Sequence, residues 1–334
     1  KEALKALRLS VCLDPGVADV WCNVGLAFYG LDIFGPAERS FRRSISMDGN
    51  HAPSFTNLGN TLINVLQPDE ALVALERGVS LDSSSTNSLW NLGLAYLLLG
   101  RFKEGWEYYE ARFSNKDFAQ VQIPTSGPQI RRLADAPKDG DPPLVVWSEQ
   151  GMGDSIQFVR YLSLLESAGI PFVFLTRPVL YNLFKVWTNF GDRVQSLDSA
   201  HPQNDKRPHI ALMSLPLLFG TELYSVPSSC PYLEPRLDKP NHLHIEPPPG
   251  GLSIGLVWAS NPDNKAMYRN KSIPLKLIMP RLLDLIDLDL VHVHTLQFGD
   301  DSEQLSPWCD HIGITKWNNS ITDFSDTAFV VNQL

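Results

Sequence analysis

A period of 34 residues constrains this chain more than any other feature. Asn23, Asn57 and Asn91 are each followed by an apolar residue and a glycine, as Val24-Gly25, Leu58-Gly59 and Leu92-Gly93. The same spacing links Trp21, Phe55 and Leu89, then Phe28, Leu62 and Tyr96. It also links Ala37, Ala71 and Gly105, then Phe41, Leu75 and Tyr109. A fixed period of this length marks a stacked repeat, in which each unit buries its apolar face only against its neighbours.

The pattern resembles the tetratricopeptide repeat, a helix–turn–helix unit carrying W-x2-L-G-x2-Y, then A-x3-F, then P. Three repeats are read at 18–51, 52–85 and 86–119, after a half repeat at 1–17 in which Ala3, Leu7 and Pro15 keep the register. The unpaired half repeat implies a longer native array. The absence of an initial Met, and a last helix interrupted at Leu334, imply a chain cut at both ends. Such arrays present a concave surface to a partner. Here the partner is a peptide or protein, and the repeats either scaffold alone or present an acceptor polypeptide to the downstream domain.

Residues 120–142 are rich in Pro, Gly, Asp and Arg and read as a linker. Beyond it, Leu144-Val-Val-Trp147 reads as a strand, Ser148–Asp154 as a glycine-broken turn, and Ile156–Ala168 as an amphipathic helix ended by Gly169. Further strands are read at 171–176, 193–197 and 209–213, with a helix at 179–187. The pattern restarts after proline-rich 240–249. It gives a strand at 252–260, a polar basic loop at 263–272, a helix at 275–286, strands at 289–298 and 308–315, and a helix from Asp323. Alternating strands and helices predict parallel sheets.

The composition is that of a soluble globular protein, 43% hydrophobic and 19% charged over 334 residues. A net charge of −9 without a basic stripe argues against a nucleic-acid partner. Cys12, Cys22, Cys230 and Cys309 form no C-x-x-C, which fits a reducing compartment; with no signal peptide and no membrane span, a cytoplasmic location is expected.

The runs E-Q-G-M-G-D-x-I-Q-F-x-R-Y at 149–161, S-L-P at 214–216, P-Y-L at 231–233, G-L-V-W-A-S-N-P at 255–262, R-x-K-S-I-P at 269–274, L-Q-F-G at 296–299 and D-F-S-D-T-A at 323–328 carry a second resemblance. The chain resembles bacterial tetratricopeptide proteins with a C-terminal region similar to glycosyltransferase family nine, the heptosyltransferases. Its layout is also similar to that of the protein O-GlcNAc transferases. The resemblance implies an α-solenoid followed by a GT-B-like pair of Rossmann-like domains. The acceptor-side domain would occupy 143–240 and an incomplete donor-side domain 251–334. It implies inverting, metal-independent sugar transfer from a nucleotide-sugar to a hydroxyl, with no cofactor, and Asp154 as general base. The family's glycine-rich, His-containing donor loop has no counterpart here, so the fragment is expected to be inactive if that loop is needed.

Among candidate site residues, Asp154 has two readings: the N-cap of a capping box with Gln157, or the base. Glu149, Gln150, Gly151, Gly153, Gln157 and Arg160 form the acceptor-side loop. Trp258, Asn261, Arg269, Lys271, Ser272, Gln297, Asp326 and Thr327 lie at strand exits or a helix start, where a nucleotide diphosphate would be held and its developing charge stabilised. A dinucleotide fingerprint at Gly151 and Gly153 lacks its third glycine, Ile156 standing there, and Asp154 would repel a pyrophosphate. Arg177, at the end of the second strand, would suit the 2′-phosphate of an NADP enzyme. His242/His244 and His292/His294 lack the partner ligands of a metal site. Ser148, Ser155 and His209 form no nucleophile elbow. The alternative to an enzyme is a non-catalytic peptide-binding scaffold with a degenerate α/β part.

Overall fold

The computed structural model describes residues 14–114, 123–200, 202, 204–233, 241–246, 251–263, 265–317 and 319–334. The half repeat lies almost wholly outside them. The described part of the first 114 residues forms paired helices: α1 (Ala18–Tyr29) with α2 (Phe34–Met47), α3 (Ala52–Asn64) with α4 (Pro68–Leu81), and α5 (Thr86–Leu98) with α6 (Phe102–Tyr109). The repeat glycines explain how closely each pair packs. A Cβ on Gly25 would lie 2.5 Å from the Phe41 ring, and one on Gly59 2.4 Å from Leu75. On Gly93 it would meet the Tyr109 backbone nitrogen at 2.8 Å. Ala37, Phe41, Ala71 and Leu75 are fully buried and form one core with Leu58, Leu62 and Leu92.

Buried hydroxyls stitch one pair to the next. Ser54 Oγ donates to Ser44 Oγ at 2.8 Å, and Ser44 Oγ to the Ala18 carbonyl at 2.7 Å. Thr56 and Ser88 hydroxyls lie 2.6 Å apart. The third repeat departs from the other two. Its second helix ends at Tyr109, and a tight 3₁₀ turn, Glu110–Ser114, comes directly after it.

The chain divides into two compact units, one of residues 1–172 and 201–228 and one of 173–200 and 229–334. The division falls inside the expected 143–240 domain. The first unit holds the repeats together with β1 (Leu144–Trp147), α7 (Met152–Phe158), α8 (Leu162–Ser167), β4 (His209–Ala211) and α10 (Leu215–Leu218). β1 and β4 are parallel, with Val145 opposite His209 and Trp147 opposite Ala211. Part of the expected linker is ordered along β4: Ile130 N–H donates to the His209 carbonyl at 2.8 Å, and His209 N–H to that of Pro128 at 2.9 Å. The helix expected at 156–168 starts earlier and is interrupted by a 3₁₀ turn at Val159–Tyr161.

The second unit holds β2 (Phe172–Thr176, from residue 173) parallel to β3 (Val194–Ser196), and a parallel sheet of β5 (Leu252–Leu256), β6 (Val291–Thr295) and β7 (Ile314–Lys316), in the order β5-β6-β7. α9 (Pro178–Trp187) meets α13 (Phe324–Val331), where the Trp187 and Phe329 rings lie 5.0 Å apart and Trp187 Nε1 donates to Ser325 Oγ at 3.1 Å. Trp258, Leu275, Met279, Val293 and Leu305 form this unit's second core, with α12 (Met279–Ile286) over the sheet. Two expectations change here. The basic loop contains a helix, α11 (Lys265–Lys271), and the short strand expected within 308–315 is β7, which starts only at Ile314, after a 3₁₀ run at Asp300–Trp308.

Candidate functional site

β1 is buried along its whole length, so the residues leaving it enter the interior before the chain reaches solvent. Ser148 and Glu149 are only 3% and 4% exposed. Glu149, expected on an acceptor loop, instead faces the end of the repeat array. There it accepts from Arg112, Nε to Oε2 at 3.0 Å and Nη2 to Oε1 at 2.7 Å.

Arg112 is fully buried, and no sequence motif marks it. Its Nη1 donates to Glu110 Oε1 at 2.6 Å and to the Tyr109 carbonyl at 3.2 Å; its Nη2 also donates to Ser214 Oγ at 2.7 Å. All five guanidinium N–H groups are therefore engaged. Ser214 Oγ donates in turn to Glu110 Oε1 at 2.7 Å, and the Phe113 ring lies 4.2 Å from the guanidinium carbon. Burial acts to lower the guanidinium pKa, but the two carboxylates more than offset it and hold it above the ordinary value. Of the groups around Arg112, the sequence motifs include Glu149 and, in the S-L-P run, Ser214.

The next residues are shaped by this anchor. Gln150 sits in the left-handed region at φ 55°, and its Nε2 donates to Tyr109 Oη at 2.8 Å. Burial raises the Tyr109 phenol pKa. Gly151, not Asp154, is the N-cap of α7. Asp154 lies one turn in, and its Oδ2 accepts from the Gly151 N–H at 3.0 Å. Asp154 is thus not the N-cap expected of it but the N3 residue that closes the first turn, and Gln157 takes no part in the cap. Gly153 and Gln157 are exposed. Arg160 donates from Nε to the Gln157 carbonyl at 2.8 Å and from Nη1 to that of Pro227 at 3.2 Å. Beside it a cavity of about 230 Å³ is lined by Leu97, Phe102, Trp106, Phe158, Tyr161 and Val226.

In the second unit, the exit of β5 is fastened by residues expected to hold a donor. Gln297 is 7% exposed; its Oε1 accepts from the N–H groups of Trp258 and Ala259 at 3.1 and 2.9 Å, and its Nε2 donates to the Phe298 carbonyl at 3.0 Å. Ser272 Oγ accepts from Ser260 N–H at 2.9 Å, and Asn261 Oδ1 from Asp263 N–H at 3.0 Å. Arg269 and Lys271 are exposed at the end of α11. Asp326 Oδ2 accepts from the Thr322 N–H and hydroxyl, and Thr327 Oγ1 donates to the Asp323 carbonyl. The polar atoms of Gln297, Asp326 and Thr327 are thus used in fastening backbone. The His292 and His294 rings lie 4.8 Å apart at a tilt of 39°, and His294 Nδ1 accepts from Trp317 Nε1 at 3.1 Å. Among the described residues, no three His, Cys, Asp or Glu converge on a metal position.

No family model matches the chain. Protein FlbA of Caulobacter vibrioides is 24% identical over 342 residues, covering 95% of this chain and 55% of FlbA. A peroxisomal targeting signal receptor of Kluyveromyces lactis is 25% identical over 134 residues, 40% of this chain and 24% of the receptor. The chain therefore spans little more than half of the one relative and a quarter of the other. Among solved structures, a MamA protein is 22% identical over 36% of this chain and 68% of its own, with a TM-score of 0.31. YrrB, described as a TPR protein with an unusual peptide-binding site, is 22% identical over 35% and 60%, also at 0.31. The paired helices, the 34-residue register and the glycine contacts decide the matter from this chain itself. The N-terminal third has the fold of a tetratricopeptide-like helical solenoid.

The first helices of its repeats, α1, α3 and α5, each carry an asparagine at one register, exposed at Asn23, half-buried at Asn57 and buried at Asn91. One turn on stand Leu26, Asn60 and Leu94, and a further turn on Gly30, Asn64 and Leu98. Leu26 and Leu98 are 43% and 56% exposed. Neither Lys nor Arg occurs on these three helices, and Asp19 is their only charged residue; the cations Arg39, Arg42, Arg43, Arg77 and Lys103 all lie on α2, α4 and α6.

Proposed function

We propose that this protein is a polypeptide-binding scaffold, and that the asparagine-bearing stripe of α1, α3 and α5 holds an extended, uncharged segment of its partner. The observation that carries this reading is the recurrence of an amide at one register without a cation beside it. A primary amide offers both donor and acceptor, so it can satisfy a peptide group without selecting for charge. Leu26 and Leu98 supply apolar contact between the amides. An acidic segment would find no counter-charge on these helices. Anisotropy titrations with fluorescent peptides of neutral, acidic and basic composition test this: neutral peptides should bind best, and Asn57→Ala with Asn60→Ala should weaken them at least tenfold. Equal or tighter binding of acidic peptides sinks the proposal.

A second reading keeps the α/β part as a glycosyltransferase-like module of GT-B type. Parallel strands in both units favour it. In this reading Asp154 is the base, with Gly151 and Gly153 shaping its turn. Arg269 and Lys271 meet the diphosphate of a nucleotide-sugar. Asp154 would first have to leave its bond to the Gly151 N–H. Calorimetry with nucleoside diphosphates tests the donor side; no heat in the wild type, or heat unchanged in Arg269→Ala with Lys271→Ala, counts against it. No helix among the described residues is long and apolar enough to cross a membrane.

A further inference from the structure

Trp106, Tyr109 and Arg112 stand three residues apart on α6 and the 3₁₀ turn that continues it, a spacing that keeps them on one side of a helix. They meet the chain around α7 in succession. Trp106 packs edge to face on Phe158 at 6.0 Å, Tyr109 Oη accepts from Gln150 Nε2 at 2.8 Å, and Arg112 Nη2 donates to Glu149 Oε1 at 2.7 Å. The last repeat thus holds the residue before the turn, the turn itself and the helix that leaves it.

Tyr109 departs from its counterparts in the other repeats. Phe41 and Leu75 occupy the same register, are fully buried, and fill the space opposite Gly25 and Gly59 with their side chains. Tyr109 meets Gly93 with its backbone, and its hydroxyl leaves the repeat for the Gln150 amide. Packing at this position needs only an apolar body, as Phe41 and Leu75 show, so the oxygen serves something outside the repeat. What it serves is strained. Gln150 lies at φ 55°, a conformation that a residue with a Cβ keeps only where its surroundings hold it. The next residue, Gly151, is the N-cap of α7, and its N–H donates to Asp154 Oδ2 at 3.0 Å.

We infer that Tyr109 is a positioning residue, through which the packing of the last repeat sets the turn at Gln150 and the start of α7. The link has three steps. α5 touches α6 at Gly93, where a Cβ would lie 2.8 Å from the Tyr109 nitrogen. Tyr109 then holds Gln150 in the left-handed region, and Gln150 aims the Gly151 N–H at Asp154. A shift of α5 against α6 moves Tyr109 and lets φ at residue 150 relax, which takes the Gly151 N–H off the aspartate. A polypeptide held along α5, a step that rests on the scaffold reading above, acts on the same link and is bound more tightly when the turn is formed.

Amide exchange at Gly151 in the whole chain reads the turn. Tyr109→Phe keeps the ring and should speed that exchange at least tenfold. Gln150→Gly, which takes φ 55° without a tether, should exchange at close to the wild-type rate with or without Tyr109→Phe. Gly93→Ala pushes on Tyr109 and should speed Gly151, whereas Gly25→Ala disturbs only the first helix pair and should not. A saturating neutral peptide should slow Gly151 at least threefold in the wild type and leave Tyr109→Phe unmoved. A rate unchanged by Tyr109→Phe, or raised alike by Gly25→Ala and Gly93→Ala, overturns the inference. A peptide that binds without slowing Gly151 overturns it too and spares the scaffold reading. Absence of peptide binding sinks the scaffold reading, and the variants then decide the inference alone. Should Tyr109→Phe disturb folding, Gln150→Ala cuts the same bond from the other side and should speed Gly151 equally.

Discussion

Replacing Glu149 by Gln keeps the shape of the side chain and removes its charge from Arg112. The guanidinium has no exposure, and Glu149 is 4% exposed, so water cannot replace what is lost. Of the two short bonds, at 2.7 and 3.0 Å, one becomes a neutral contact and the other sets an amide NH₂ against a guanidinium N–H. Breaking a buried, hydrogen-bonded ion pair from one side costs about 3–5 kcal/mol. Glu110 remains as a counter-ion at 2.6 Å, which places Glu149→Gln at the lower end, about 3 kcal/mol. Arg112→Met leaves two carboxylates facing each other's field and should cost more. Chemical denaturation followed by tryptophan fluorescence reads both, with Arg101→Ala as the control, because its partner Glu104 and Arg101 itself are both well exposed. The double variant Arg112→Met with Glu149→Leu should be less destabilised than the two singles summed. If Glu149→Gln is indistinguishable from the Arg101→Ala control, the reasoning fails.

Gly93→Ala should destabilise the array by about 1–3 kcal/mol, because its new Cβ meets Tyr109 backbone rather than a movable side chain, whereas Gly49→Ala, with open space around it, should be nearly silent in the same thermal melts. Burial, and then the neighbouring His292, press the His294 pKa from 6.5 down to about 4. The unfolded chain therefore binds more protons between these values, and stability is complete above about pH 6.5 and falls as pH drops toward 4. His294→Gln should flatten that slope in denaturation curves taken across this window. Asp154→Ala removes the acceptor of the Gly151 N–H and should cost about 1 kcal/mol by the same assay, while Asp154→Asn should recover most of it.

Features that repeat or alternate locally are legible in the sequence. Glycine at residues 25, 59 and 93 recurs because two helices must touch there, and recurrence is visible without coordinates. β1 is legible as an apolar run because both its faces are buried. The Arg112–Glu149 pair is not, since its partners stand 37 residues apart on different kinds of element and no period joins them. Asp154 takes a different capping position from the one its spacing suggests. Glycine, which has no side chain to announce a cap, holds the N-cap and leaves the aspartate to close the turn from within. Gln297 suggests a ligand contact because a polar residue at a strand exit looks available; its carbonyl and amide are both committed to backbone. α11 escapes a reading that gives a basic, polar run to a loop, although Lys265–Lys271 contains neither glycine nor proline.

The short sixth helix bears on how such a protein can change over evolutionary time. A solenoid ordinarily lengthens or shortens at either end, since each unit recognises only its neighbours. Here the downstream end is closed: Trp106 meets Phe158 edge to face at 6.0 Å, and three residues beyond Tyr109 the chain commits Arg112 to the sheet. A further unit inserted at that point would carry Arg112 away from Glu149 and leave both charges stranded. Duplication and loss of repeats are thereby confined to the units upstream of the last one, so variants of this protein should differ in the number of units before Thr86 while the last one stays fixed in length and sequence.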